Sequence, residues 1–147
     1  MAICRSIRQL GFTLVEVLVS LLVLTIGLLA LAALQSHSMK STHSAYLRTQ
    51  ASQYAYDILD RMRANREAAR AEAYDLALTD ATPVCGASAP LVDCDRAEWR
   101  ADLASLPGGT GAIDYDPASE MVTVLVQWND ERAGGTTTTT FTLQSRL

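Results

Sequence analysis

From Val17 to Leu34 the chain is apolar, with no charge and no proline, and only Ser20, Thr25 and Gly27 interrupt it. At 1.5 Å per residue, a helix over this run covers roughly 27 Å, and the residues from Phe12 onward extend it to a full membrane span. The pattern then changes without stopping. Neither proline nor glycine occurs from Ser36 to about Ala77. Leu47, Ala51, Tyr54, Ile58, Met62, Ala69, Ala73 and Leu76 fall on one narrow face of a helical wheel. Polar Asn65 interrupts that stripe. The pattern predicts one long helix of about 65 residues, roughly 100 Å, in two parts. Residues 12–35 form its membrane and assembly half. Residues 36–78 form an amphipathic half that buries its stripe against a sheet.

Residues 79–147 read differently. Thr79–Asp95 is a loop carrying Pro83 and Pro90. Arg96–Leu106 reads as a short helix with Trp99 and Leu103 on one side, stopped by Pro107-Gly108-Gly109. Ala112–Tyr115 is a short strand. Met121–Trp128 is rich in β-branched residues and reads as the main strand. A turn over Asn129–Gly135 leads to a second strand at Thr136–Leu143, making a hairpin and a small antiparallel sheet. The threonine run Thr136–Thr140 is expected on a solvent-facing edge strand, in preference to a glycan site. The fold class is α+β.

Ahead of the apolar run stands Arg5-Ser6-Ile7-Arg8-Gln9-Leu10-Gly11, followed by Phe12-Thr13-Leu14-Val15-Glu16. An ordinary secretory signal places a small-residue cleavage site after its apolar region. Here the basic leader and its glycine come before it, so the apolar segment stays in the mature protein. Arg5 and Arg8 favour a cytoplasmic N-terminus. The arrangement resembles the class III signal of type IV prepilins and of the pseudopilins of type II secretion. The resemblance implies that residues 1–11 are a leader, that a prepilin peptidase cuts between Gly11 and Phe12, and that it methylates the new amino group of Phe12. It also implies the pilin fold: a long helix on an antiparallel sheet, with a variable loop between them. Major pilins carry a proline in the apolar part of the helix, and this chain does not.

Glu16 lies in the apolar segment, where an acidic side chain costs up to roughly 2.5–3.5 kcal/mol on insertion scales. Family resemblance supplies its partner: the α-amino group of Phe12, on a neighbouring subunit or on the same chain. That pairing would guide a subunit into register as it leaves the inner membrane for a fibre.

The segment Asp57-Ile58-Leu59-Asp60-Arg61-Met62-Arg63-Ala64-Asn65-Arg66 resembles the helix of the V-class minor pilins, the type IV pilus modification proteins. The cysteine pair, Leu106-Pro107-Gly108-Gly109 and the strand ending in Trp128 are similar to that group as well. The resemblance implies a minor pilin that primes or modifies pilus assembly at or near the fibre tip. Its implied partners are other minor pilins, the major pilin and a large tip adhesin. A minor pseudopilin of type II secretion is the second reading, and an adhesive or DNA-binding pilus module the third.

Composition narrows these readings. The length suits one anchor and one small domain. The chain has 12 basic and 16 acidic residues. Loss of the leader removes Arg5 and Arg8, leaving ten basic against 16 acidic and a net charge of −6. That balance argues against nucleic acid as a general partner. Cys4 is lost with the leader. Cys85 and Cys94 remain as an even pair, and in an oxidising periplasm a disulfide is favoured over a metal site that has no nearby histidine.

Arg63, Arg66 and Arg70 fall together on the shoulder of the predicted helix. They form either a partner-pilin contact or a solvated face tied by ion pairs. Asp60 and Glu67 are spaced to pair with Arg63, and Glu67 with Arg70 as well. The solvated face is the preferred reading. Enzyme signals are missing: His37 and His43 are roughly 240° apart around a helix, and no nucleophile motif, phosphate loop or zinc spacing occurs. Asp114, Asp116 and Glu120 lack the pattern of a calcium loop. No cofactor is expected.

Overall fold

The computed structural model describes residues 11–147. Arg5, Arg8, Cys4 and the rest of the leader up to Leu10 lie outside the described residues. The elements are α1 (Leu14–Ala64), α2 (Arg66–Arg70), α3 (Leu91–Leu103), β1 (Thr110–Asp116), β2 (Met121–Trp128) and β3 (Thr139–Arg146). The chain divides into two compact units, one ending at Met39 and the other spanning Lys40–Leu147.

In the first unit, α1 carries the apolar run with a mean hydropathy of 2.8 over its most apolar window, and none of that window is buried. The helix is long and apolar enough to cross a membrane.

In the second unit, the remainder of α1 packs on a three-stranded antiparallel sheet of order β1-β2-β3. Leu47, Ala51, Ala55, Ile58, Leu59 and Met62 form its buried face. Ala51 and Ala55 are fully buried, and their small side chains allow the helix backbone to approach the sheet. Val122, Val124, Val126 and Trp128 answer from β2, at the two-residue spacing of one strand face. This is the α+β pilin fold that the sequence predicts: a long N-terminal helix on a small antiparallel sheet.

The helix is shorter than the stripe suggests. It ends at Ala64, not near Ala77, so the amphipathic half does not reach residue 78 as helix. Asn65 leaves helical geometry at φ −117° and ψ 55°. Its Nδ2 donates to the Tyr74 hydroxyl at 3.4 Å. The five-residue α2 follows and keeps Ala69 buried, and the chain then turns through Glu72 at φ 59°. Two competing contacts account for the turn. Tyr74 becomes fully buried, and Leu76 exchanges two 2.9 Å backbone hydrogen bonds with Ile113 on the edge of β1. Ala73, expected on the buried stripe, is exposed.

Other boundaries shift as well. The short helix starts at Leu91, directly after Pro90, and so takes in the last part of the expected loop. Proline is well suited to a helix start because its missing N–H has no partner there in any case. β1 is longer than Ala112–Tyr115 by two residues at the front and one at the back. β3 lies three residues later than expected, because the connection after Trp128 runs ten residues and not only over Asn129–Gly135. That loop closes on itself: the Asp130 N–H donates to Thr136 O and the Gly135 N–H to Asp130 O, both at 3.0 Å. Thr136, Thr137 and Thr138 therefore belong to the loop, and Thr139 and Thr140 to the edge strand.

α3 sits against β1 through Trp99 and Leu103, both fully buried. Gly111 of β1 makes this approach possible. A Cβ there would stand 2.6 Å from Cη2 of Trp99 and 2.8 Å from the Leu125 carbonyl oxygen.

Candidate assembly site

The N-terminal segment is built as a helix start. Gly11, Phe12 and Thr13 precede α1, and the Thr13 Oγ1 accepts the Glu16 N–H at 3.3 Å. Thr13 is therefore the N-cap and Glu16 the third helical residue, the spacing of a capping box. That T-x-x-E spacing is legible in the sequence, and the bond that forms uses the Glu16 backbone N–H, not its carboxylate. A carboxylate in the first turn also faces the positive end of the helix dipole. Ser20 closes the turn by donating to the Glu16 carbonyl at 2.7 Å. Phe12 is 81% exposed. Phe12, Glu16, Val17, Ser20, Leu21 and Leu24 line a shallow apolar groove of about 360 Å³. Gly11, Phe12 and Glu16 thus lie together at the start of α1, and all three are exposed.

Arg63, Arg66 and Arg70 are divided between two helices. Arg63 belongs to α1 and bonds to Asp60 at 3.1 Å and to Ser145 Oγ of β3 at 2.9 Å. Arg66 and Arg70 are the ends of α2 and are exposed. Neither pairing expected of Glu67 forms among the described residues; the break at Asn65 changes the phase between Arg63 and Glu67. The Asp60 pair does form. Ser145 is a partner of Arg63 that local spacing does not reveal.

Cys85 and Cys94 are joined by a disulfide, with a Cα–Cα distance of 4.4 Å. Closing a loop of this size stabilises by roughly 2.5–3 kcal/mol in the chain-entropy model. The bridge ties the loop to the first turn of α3.

Next to Cys94 lies a polar network that sequence reasoning missed. Arg61 reaches three carboxylates: Glu98 at 2.7 Å, Asp57 at 2.9 Å and Asp95 at 3.4 Å. The bond to Glu98 raises the Arg61 pKa most, burial opposes it, and Asp57 and Asp95 add to the rise. The buried Tyr74 hydroxyl donates to Asp95 at 2.6 Å. Burial pushes this phenol up to about 12, and the bond to Asp95 acts in the same direction.

Three further side chains pin the segment after α2. Arg96 Nη1 donates to the carbonyls of Ala73 and Asp75, each at 3.0 Å. Arg100 Nη2 donates to the Ala77 carbonyl at 2.6 Å, and burial lowers the Arg100 pKa. Asp75 accepts the Tyr115 N–H at 3.1 Å, and burial lifts its carboxyl above the usual range. On the other side of α3, Trp99 Nε1 donates to the Tyr54 carbonyl at 2.9 Å. These charged groups are committed to holding chain segments together. Asp116, named as a calcium candidate, takes the Ala118 N–H and the Ser119 hydroxyl, which closes the β1–β2 turn. Among the described residues there is no cluster of three or more metal-ligating side chains.

Residues 7–32 match the family model described as the prokaryotic N-terminal methylation motif. No curated protein and no solved structure matches the chain. The motif match, the apolar helix and the fold support a type IV pilin or pseudopilin. They imply processing by a prepilin peptidase, anchoring in the inner membrane and assembly with other pilins. They point to a structural protein rather than an enzyme.

Proposed function

We propose that this chain is a minor type IV pilin that primes or modifies pilus assembly at or near the fibre tip. The observation that carries the reading is the methylation motif at residues 7–32 at the head of an unburied apolar helix. The V-class resemblance of Asp57–Arg66 narrows it. Within this reading, residues 1–11 are the leader, cleavage falls between Gly11 and Phe12, and the amino group of Phe12 is methylated. Residues 12–35 anchor the subunit with its N-terminus in the cytoplasm, and the second unit lies in the periplasm and then in the fibre. Glu16 pairs with the α-amino group of Phe12 during assembly. Where this part of the chain meets a neighbouring pilin, Arg63, Arg66 and Arg70 are the contact residues. The partners are the other minor pilins, the major pilin and a large tip adhesin.

An in-frame deletion tests the reading, with surface pili and twitching scored beside exoprotein secretion in the same strain. Sparse or absent pili with normal secretion, restored by the intact gene, is the expected result. Normal pili with blocked secretion would make the chain a minor pseudopilin. Normal behaviour in both would favour an adhesive or DNA-binding accessory.

A further inference from the structure

The sheet has two outer edges, and the fold treats them differently. The edge of β1 is closed. The Leu76–Ile113 bridge occupies it, and Asp75 takes the Tyr115 N–H. β3 is the opposite edge, and among the described residues no strand or bridge lies on its outer side. Its pairing with β2 runs without a bulge from Trp128↔Thr139 to Met121↔Arg146. Its eight residues include no proline, glycine or lysine. Edge strands usually carry such features, because a bare row of N–H and C=O groups pairs with any extended chain that reaches it.

The side chains beside this edge are also incompletely covered. Phe141 and Leu143 pack against the core yet stay half-buried. A groove of about 380 Å³ lies at the Thr139 end, lined by Arg48, Thr49 and Ser52 of α1, by Thr139–Phe141 and by Trp128. The Trp128 indole N–H is buried without an acceptor. One turn beyond Ser52, Tyr56 is 53% exposed.

We propose that the outer edge of β3 is a strand-addition site for an extended segment of a different protein chain. That segment carries apolar or β-branched residues at alternate positions and acidic residues at its ends. Only a polypeptide brings the alternating donors and acceptors that satisfy a bare edge. The period of two sets every second side chain of the incoming strand over Phe141 and Leu143. The charges favour acidic ends, with Arg48 by Thr139 and Arg146 at the far end. A second copy fits poorly. Antiparallel β3–β3 pairing would set Arg146 of each copy beside the Arg48-lined groove of the other, like charge near like.

The site is independent of any role in a pilus, so its test stands apart from the deletion experiment. The full chain in detergent micelles is titrated with a labelled peptide, Asp-Val-Thr-Val-Thr-Val-Thr-Asp, matching the eight residues of β3 in length. Two further peptides carry backbone N-methyl groups on alternate residues, one on the odd set and one on the even. Saturable binding of the parent is expected. One N-methyl set should bind at least about tenfold more weakly and the other about as well as the parent, since only alternate N–H groups face the edge. Arg48→Glu should weaken the parent at low salt by about tenfold. No saturable binding of the parent, or equal binding of both N-methyl sets, would overturn the proposal. Tighter binding of a peptide with the β3 sequence itself would replace the acidic partner with a second copy and would overturn it as well.

Discussion

The hydroxyl of Tyr74 donates a 2.6 Å hydrogen bond to Asp95, and both side chains are buried. The bond joins the turn after α2 to the first half of α3, with Arg61 of α1 on the other oxygen of the same carboxylate. Three segments separated in sequence thus meet at one acid.

This junction predicts a dependence on alkaline pH. The folded-state phenol titrates near 12, above its ordinary value of 10.0, because burial and Asp95 disfavour the phenolate. Below pH 10 the phenol is neutral in both states and the contribution is fully present. As pH rises from 10 towards 12, only the unfolded state loses the proton, and stability falls by about 2–3 kcal/mol. Denaturant titrations of the full chain in detergent at pH 8 and pH 11.5 measure the fall. Tyr74→Phe should cost about 1–2 kcal/mol at pH 8 and remove most of the additional fall. An equal fall in the variant would assign the pH dependence to other groups.

Gly111→Ala should lower stability by about 1–3 kcal/mol, the usual cost of overpacking. The new methyl would meet the Trp99 ring, the Leu103 side chain and the Leu125 carbonyl at once. The backbone carbonyl cannot move aside as a flexible side chain would. Near-ultraviolet circular dichroism reports the displacement of Trp99, and a denaturant titration gives the loss.

Sequence pattern reached some elements and missed others for identifiable reasons. Met121–Trp128 is legible to the residue, because its β-branched content marks a strand and Asn129-Asp130 ends it. Trp99 and Leu103 lie on one buried face of α3, as expected. The end of α1 was hidden because the stripe continues: Ala69 is buried just as a continuous helix would bury it, yet the backbone has already broken at Asn65. What breaks it is tertiary, the burial of Tyr74 and the pairing of Leu76 with a strand 37 residues away. The contacts of Arg61 and Tyr74 with Asp95 span 34 and 21 residues and leave no local signature. At the N-terminus the reverse holds. The Thr13–Glu16 capping box is local, and its spacing alone spells it out.

Thr13 caps α1 through the backbone N–H of Glu16, so the helix cap and the Glu16 charge can be removed separately. Glu16→Gln and Glu16→Ala both remove the charge, and Gln keeps the length and polarity of the side chain. Under the charge-pairing account, both variants are cleaved normally and both are missing from sheared pili. Thr13→Ala costs the helix start about 1 kcal/mol and leaves the carboxylate in place, so it should still enter the fibre. Normal amounts of the Gln variant in sheared pili would contradict the charge-pairing account.

The central claim is that this chain is made as a prepilin and matured at Gly11–Phe12. Mass spectrometry of the N-terminal peptide, from protein isolated from its native membrane, tests it most directly. The account predicts a chain that begins at Phe12 and carries one methyl group on the α-amine. A chain that still begins at Met1, or one cut after the apolar run near Leu34, would contradict it.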